Sequence, residues 1–230
     1  MEGASLSVDN LACRRGERVL FRGLSFALAP GEALQMRGAN GTGKSSLMRI
    51  LAGLLRPFAG TVERRGSVGL LDDRLPLDEH LPLGRAFAFW NRIDATHSPG
   101  AFASVAIDGL LDVPVRFLST GQRKRAALLL TVFGYNEILL LDEPLNGLDA
   151  AGAQLLYEQL AAYRAHGALA VIASHQPLDV PDLRQIDLAD YLPPLPGGEG
   201  TEGWGLGARD SRTPEAPSTP TRPPPAGGGE

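Results

Sequence analysis

A glycine-rich segment with one lysine constrains the fold of this 230-residue chain more than any other feature. Residues 38–45 read GANGTGKS and fit the pattern G-x-x-x-x-G-K-[S/T]. The preceding segment Ala33–Arg37 predicts a β-strand, and the leucine spacing in Ser45–Leu55 predicts a helix. A phosphate-binding loop requires this order, because the backbone N–H groups of the loop and the N-terminus of the helix then point at the same anion.

The residues of this phosphate-binding loop, 38–45, are suited to a nucleotide. Glycines at three positions let successive backbone N–H groups turn toward the β-phosphate. Lys44 would reach the β- and γ-phosphates, and the Ser45 hydroxyl would be a ligand of Mg²⁺. A structural glycine-rich turn is the alternative, and it is disfavoured because one of only two lysines in the chain stands at the required position. The predicted nucleotide-binding residues here are Gly38, Ala39, Asn40, Gly41, Thr42, Gly43, Lys44, Ser45 and Ser46.

Alternating strand and helix patterns predict an α/β fold. The segments Glu137–Leu141 and Ala168–Ala173 contain uninterrupted apolar runs, which are typical of central parallel strands covered on both faces. The other predicted elements are strands Ser5–Val8, Gly23–Leu28, Thr61–Glu63 and Val68–Leu71, and helices Gly121–Phe133 and Ala150–His166.

A second candidate site follows one of these strands. Residues 138–144 read ILLLDEP, so the strand delivers two carboxylates at its C-terminal end, where open α/β sheets bind their ligands. Asp142 would hold Mg²⁺, and Glu143 would orient the water that attacks the γ-phosphate. A helix-capping turn is the alternative, and the accompanying phosphate-binding loop disfavours it.

Charge and composition exclude several classes of function. The net charge of −4 argues against broad electrostatic binding of nucleic acid. One cysteine excludes an internal disulfide framework and a multi-cysteine metal site. The N-terminus lacks the pattern of a signal peptide, and the longest apolar stretch, residues 126–133, is far shorter than the ~20 residues of a membrane-spanning helix. We therefore expect a cytoplasmic chain, free or peripheral to a membrane.

The C-terminal end differs from the rest of the chain. Its last 38 residues contain nine prolines and nine glycines. Ordering such a segment costs about 1.5 kcal/mol per residue, more than its few large apolar side chains can return. The composition predicts a disordered Pro/Gly-rich tail over residues 193–230 and a folded unit over residues 1–192.

Three further motifs produce a family resemblance. Residues 118–122 read LSTGQ, residues 146–149 read NGLD, and His175 follows the apolar run ALAVIAS. With the phosphate-binding loop and the acidic strand, they resemble, in the same order, the signature, D-loop and switch histidine of ABC-transporter ATPases. The resemblance implies a P-loop NTPase fold with an N-terminal antiparallel β subdomain and a compact helical subdomain at about residues 81–134.

The resemblance also implies a mechanism and partners. ABC ATPases work as head-to-tail pairs that hydrolyse ATP with Mg²⁺ and drive separate membrane-spanning subunits. Ser119 and Gly121 of one copy would close over the ATP of the other, Asp149 would belong to the same interface, and His175 would contact the γ-phosphate. Ser119 could equally be an N-cap of the following helix, and the two roles are compatible.

Two positions depart from the family pattern. Asp73 occupies the place where most ABC ATPases have the glutamine of the Q-loop, which contacts Mg²⁺. Asp73 could still reach the metal as a ligand, although its side chain is shorter than glutamine and charged. Arg15 replaces the aromatic residue that usually stacks on adenine; it could stack in its place or be a solvated surface residue. In the helical subdomain, Ala86, Phe87, Phe89 and Trp90 could form a docking face for a membrane partner or pack in the core.

The chain start LACRRGERVLFRGLSFALAPGE and the motif SHQPLD resemble the haem-exporter ATPases of bacterial cytochrome c maturation. That resemblance implies a peripheral position on the cytoplasmic face of the inner membrane and partners of the same system. An ATPase of another exporter, for a lipid or drug, remains open because nothing in the nucleotide-binding residues separates the two. A non-transport ABC ATPase acting on ribosomes or DNA is disfavoured by the acidic charge, and a P-loop kinase by LSTGQ.

Overall fold

The computed structural model describes residues 3–94, 105–132 and 136–193. The β-strands in these ranges are β1 (Ser5–Arg15), β2 (Arg18–Leu28), β3 (Ala33–Arg37), β4 (Ala59–Arg65), β5 (Val68–Leu71), β6 (Ile138–Asp142), β7 (Leu169–Ala173) and β8 (Leu183–Asp187). The α-helices are α1 (Lys44–Leu51), α2 (Leu83–Asp94), α3 (Thr120–Val132) and α4 (Ala150–Ala165). Short 3-10 turns span Asp108–Leu110, Val115–Phe117 and Leu188–Tyr191.

A five-stranded parallel sheet in the order β5-β6-β7-β3-β8 forms the centre of the fold. Every residue of β6 and β7 is buried, which confirms that these apolar runs form central parallel strands. Because all five strands run in the same direction, their carboxyl ends meet at one edge. The phosphate-binding loop follows β3 at this edge, where Asp142 ends β6 and Glu143 follows it.

An antiparallel sheet in the order β2-β1-β4 lies on the other side of α1. Apolar residues of β1 and β2 pack in one core cluster with α1 and with Leu34 and Met36 of β3. Cys13 of β1 is buried in this cluster, and its thiol is hydrogen-bonded to Ser46. Burial raises the pKa of this thiol, although the Arg15 charge and the Ser46 hydrogen bond oppose the shift.

Helices α2 and α3 and the turns between them surround a separate core cluster. The two interpretations of the aromatic residues divide along α2. Ala86 and Phe87 are buried, whereas the Phe89 side chain is 51% exposed. Trp90 is half-buried, and its indole N–H donates to the Pro76 carbonyl at 2.8 Å. The predicted subdomain, about residues 81–134, includes residues outside the described ranges.

No helix within the described ranges is long and apolar enough to cross a membrane. The predicted tail over residues 193–230 lies, apart from Pro193, outside the described residues.

Candidate nucleotide-binding and hydrolysis site

The phosphate-binding loop wraps around its own lysine. Gly38, Gly41 and Gly43 have φ angles of 142°, 83° and 112°, a region that favours glycine. A Cβ on Gly43 would also lie only 3.1 Å from the Phe21 ring. The Lys44 ammonium is buried and donates to the Gly38 carbonyl at 2.7 Å and to the Ala39 carbonyl at 3.3 Å. A phosphate would therefore meet a preformed cationic loop.

A cleft of about 290 Å³ opens beside this loop. Both sheets contribute to it, since Arg15 and Leu20 come from the antiparallel sheet, whereas Asp142 is the last residue of β6 in the parallel sheet. Glu143 follows that strand. The lining residues are Arg15, Leu20, Asn40, Gly41, Gly43, Lys44, Ser45, Ser46, Asp142 and Glu143. The structure thus brings the phosphate-binding loop, the two carboxylates and Arg15 to one cavity.

Asp142 has the properties of a metal ligand. Its side chain is buried, and no described residue offers a hydrogen bond to its Oδ1 atom. Burial raises the pKa of Asp142, and the Glu143 charge adds to this shift. The hydrogen bond from Ser45 and the charges of Lys124 and Lys44 lower the pKa and so oppose the shift. Oxygen donors from a carboxylate and a hydroxyl are the ligands that Mg²⁺ prefers. The residues present therefore fit a magnesium ion.

Lys124 is a residue of this site that the sequence analysis missed. It extends from α3, and its ammonium donates to the Asp142 carbonyl at 3.3 Å. Burial lowers the pKa of Lys124, and the nearby Asp142 and Glu143 charges partly oppose the shift. The only signal in the sequence was that Lys124 is the second of the two lysines.

Glu143 lies at the centre of a three-residue contact. Its N–H donates to the Ala173 carbonyl at 2.8 Å, and its φ angle of 46° is in the left-handed region. The Nδ1 atom of His175 is 3.0 Å and 3.1 Å from the two carboxylate oxygens. The Lys44 ammonium lies 3.6 Å from the nearer oxygen. A lysine, a carboxylate and an imidazole that are separated along the chain thus converge beside the cleft.

The LSTGQ segment forms the N-terminus of α3. The Ser119 hydroxyl accepts from the Gln122 N–H at 3.3 Å, and the Gln122 side chain accepts from the Ser119 N–H at 2.8 Å. This reciprocal pair is a capping box, so the N-cap interpretation of Ser119 is confirmed. Ser119 and Gly121 do not line the cleft of their own chain.

The NGLD segment packs directly against that helix. A Cβ on Gly121 would lie 2.8 Å from the Gly147 carbonyl oxygen, so the two backbones approach closely. Arg125 of α3 pairs with the Asp149 carboxylate at 2.7 Å. Asp149 also accepts from the Gly152 N–H at 2.9 Å and caps α4, and these bonds lower the pKa of Asp149. The two segments form one connected unit.

The structure does not bring Asp73 into the cleft. Its side chain is 85% exposed, and its carboxylate lies 3.2 Å from the Arg49 guanidinium of α1. The neighbouring Asp72, which the sequence analysis did not select, is 11% exposed and pairs with the same arginine at 3.1 Å. A metal role for Asp73 stays a prediction, and it would require release from Arg49.

Comparison with known proteins assigns the family. The ABC transporter family profile matches residues 21–146. The chain belongs to the ABC transporter family. This result confirms the family resemblance and, with it, ATP binding.

Curated relatives extend over nearly the whole described chain. The chain is 53% identical over 193 residues to the "Cytochrome c biogenesis ATP-binding export protein CcmA" of Novosphingobium aromaticivorans, covering 84% of this chain and 100% of that protein. It is 46% identical to the protein of the same name from Zymomonas mobilis, covering 82% of this chain and 86% of that protein. The predicted resemblance to this group of ABC ATPases is therefore confirmed.

Solved structures agree on the fold. A putative ABC transporter ATP-binding protein from Pyrococcus furiosus superimposes with a TM-score of 0.70 at 18% identity, covering 82% of this chain and 100% of that one. A putative metal-chelate type ABC transporter in an inward-facing conformation gives a TM-score of 0.63 at 25% identity, covering 81% and 80%. The predicted α/β fold with an antiparallel subdomain is confirmed.

Proposed function

We propose that this chain is the ATP-hydrolysing, energy-coupling subunit of an export complex in cytochrome c maturation, and that the complex exports haem or releases a haem-handling chaperone. The observation that carries the proposal is the likeness to the CcmA export proteins, which reaches 53% identity across the full length of one of them. The convergence of Lys44, Glu143 and His175 beside one cleft supplies the chemistry that such a subunit needs.

Binding of ATP is assigned to the residues of the cleft. The Lys44 ammonium exchanges the Gly38 and Ala39 carbonyls for phosphate oxygens, while the loop N–H groups hold the β-phosphate. The Arg15 guanidinium, which lines the cleft, stacks on the adenine plane. Mg²⁺, held by Ser45 and Asp142 when bound, neutralises charge on the phosphates.

Hydrolysis is assigned to Glu143 and His175. The Glu143 carboxylate accepts a hydrogen bond from a water molecule and aligns it with the γ-phosphorus. The water oxygen forms a bond to the γ-phosphorus as the bond between that phosphorus and the bridging oxygen of ADP breaks. The protons of the water leave with the phosphate. His175, which contacts both oxygens of Glu143, orients the carboxylate and presents its ring to the γ-phosphate.

The partners follow from the family and from the position of the signature residues. An ABC transporter ATPase acts through membrane-spanning subunits, and we assign this chain to the cytoplasmic face of the inner membrane. Ser119, Gly121 and Asp149 lie outside the cleft of their own chain, which supports a head-to-tail dimer in which they complete the cleft of a second copy. The exposed Phe89 of α2 is available to a membrane partner.

The test is made in the native host with Lys44→Ala. We expect covalent haem attachment to c-type cytochromes to fall while b-type cytochromes remain, measured by haem staining at equal apoprotein levels. The exposed Arg56→Ala provides a control with normal attachment. Normal c-type cytochromes in the Lys44→Ala strain would refute the haem assignment, and ATP turnover of the purified variant would then test the exporter ATPase separately.

A further inference from the structure

One buried glutamine has no explanation in the proposed mechanism. Gln35 lies in the interior strand β3, is only 1% exposed, and stands between Leu34 and Met36 of the apolar core. Burying an amide costs free energy unless its donors and acceptor find partners. Throughout the described ranges, no group donates to the Gln35 Oε1 atom, so an apolar residue would avoid that cost.

The amide nitrogen of Gln35 serves the loop that carries His175. It donates to the Gln176 carbonyl at 2.8 Å and to the Ser174 carbonyl at 3.3 Å. These two carbonyls flank His175 on either side. The distances identify the nitrogen end of the amide, because an oxygen in its place would face two other acceptors.

The hydrogen bonds from Gln35 reach the chain just after the pairing between β3 and β7 ends. Strand β3 pairs with β7 as far as Met36 and Ala173, and the Ser174 N–H still donates to the Met36 carbonyl at 3.2 Å. Beyond that point the chain leaves the sheet. The switch loop, residues 174–176, is then closed on itself by the Gln176 N–H, which donates to the Ser174 hydroxyl at 3.1 Å.

We infer that Gln35 is a positioning residue for ATP hydrolysis, which fixes the switch loop so that His175 faces Glu143. The imidazole itself is 53% exposed, so its packing does not determine its direction. The backbone on both sides of His175 is instead held by the two hydrogen bonds that the Gln35 side chain donates from the buried strand β3. The same strand leads directly into the phosphate-binding loop, so one rigid element places both Lys44 and His175.

The inference rests on the proposed ATPase function and is tested on the full chain with Gln35→Met. Methionine keeps the length and the flexible shape of the side chain but removes both donors. A displacement of a catalytic group by about 1 Å costs roughly 100-fold in rate, so we expect kcat for ATP to fall by roughly 10-fold to 100-fold. KM for ATP should stay within about 2-fold, because the residues that line the cleft are unchanged.

A control and a double variant make the test specific. Gln185→Met introduces the same change on β8 at the residue paired with Gln35, where the side chain is exposed, and should leave kcat unchanged. In a chain that already carries His175→Ala, Gln35→Met should lower the single-turnover rate of ATP hydrolysis by less than about 2-fold. The effects of the two substitutions should not add, because the two residues act as a unit.

Two outcomes would overturn the inference while leaving the ATPase function intact. One is a Gln35→Met variant with wild-type kcat; the other is an equal loss with and without the His175 ring, which would show a general structural role. A wild-type chain that does not hydrolyse ATP, alone or with its membrane partners, would instead refute the proposed function and the inference together.

Discussion

Replacing the buried carboxylate of Asp142 should stabilise the nucleotide-free protein. Asp142 is buried, its Oδ1 atom has no partner in the described ranges, and its pKa is raised from the ordinary value of 3.8 by burial despite the nearby lysines. The environment therefore favours the neutral form. Asp142→Asn keeps the shape and removes the charge, so we expect the free energy of unfolding to rise.

The size of the gain follows from the lower cost of burying a neutral amide than an ionised carboxylate, because Asp142→Asn leaves an unpaired polar atom in place but removes its charge. This difference is about 1–3 kcal/mol. For a chain of this size, 1 kcal/mol corresponds to about 2–4 °C, so Tm should rise by about 2–12 °C at pH 7. Because the folded pKa of Asp142 is raised, its carboxyl stabilises the fold below the unfolded pKa, and this contribution is lost as the pH rises through the folded pKa. The difference between the two proteins should therefore narrow as the pH falls.

Calorimetry with and without the nucleotide provides the assay. In EDTA and without ATP, Asp142→Asn should melt above the wild type, while the exposed Asp190→Asn should melt with it. With Mg²⁺ and ATP at ~100 times Kd, the wild type should gain about 2.7 kcal/mol and the Asp142→Asn variant much less, so the lead of the variant over the wild type should shrink by most of that amount. A variant that melts at or below the wild type in EDTA would refute the reasoning.

Further predictions concern hydrolysis, the signature segment and the tail. Glu143→Gln should retain ATP binding by calorimetry but stop hydrolysis, and size-exclusion chromatography with ATP should show a trapped dimer. Ser119→Ala removes a capping oxygen and should cost about 1 kcal/mol in urea denaturation. Gly121→Ala would bring a methyl group against the Gly147 carbonyl, so steady-state turnover should drop while unfolding free energy falls by about 1–3 kcal/mol. Removal of residues 193–230 should shift Tm by less than about 2 °C, as for a terminus outside the core.

Local sequence patterns predicted a strand with the correct bounds where the strand is short and regular. Ala33–Arg37 and Val68–Leu71 match β3 and β5 to the residue. The predicted Ser5–Val8 was too short, because β1 continues to Arg15 through Asn10 at φ 47° and several register shifts against β2. Such irregularities disrupt the period-two alternation on which the prediction depends.

Pairing between distant segments explains the missed strand, and a local turn explains the earlier end of a helix. Strand β8 was missed because none of its residues is buried and three of the five are polar, and its strand conformation depends on pairing with β3. Helix α1 ends at Leu51 rather than at the predicted Leu55, since Gly53 adopts φ 81° and the N–H groups of Leu54 and Leu55 both donate to the Arg49 carbonyl.

The residues of the candidate site also fall into two groups, those with a local sequence pattern and those whose partners lie elsewhere in the chain. Lys44, Asp142 and Glu143 could be proposed from the sequence because each belongs to a local pattern whose spacing encodes its chemistry. Gln35 and Lys124 were missed because their partners lie 139 and 18 residues away along the chain, and nothing beside them in the sequence marks the contact. Sequence patterns identify the residues that meet a ligand more readily than those that hold such residues in place.

The buried Cys13 makes the molecule convenient for spectroscopy. Cys13 is the chain's single cysteine, and its thiol is buried against Ser46 of α1. The raised pKa of this thiol leaves little reactive thiolate at neutral pH. A cysteine introduced at an exposed position such as Asp190 would therefore take up a maleimide spin label or fluorophore selectively, with no background substitution needed. Paired labels on two copies could then follow, in real time, whether the copies approach when ATP is added and separate when it is consumed.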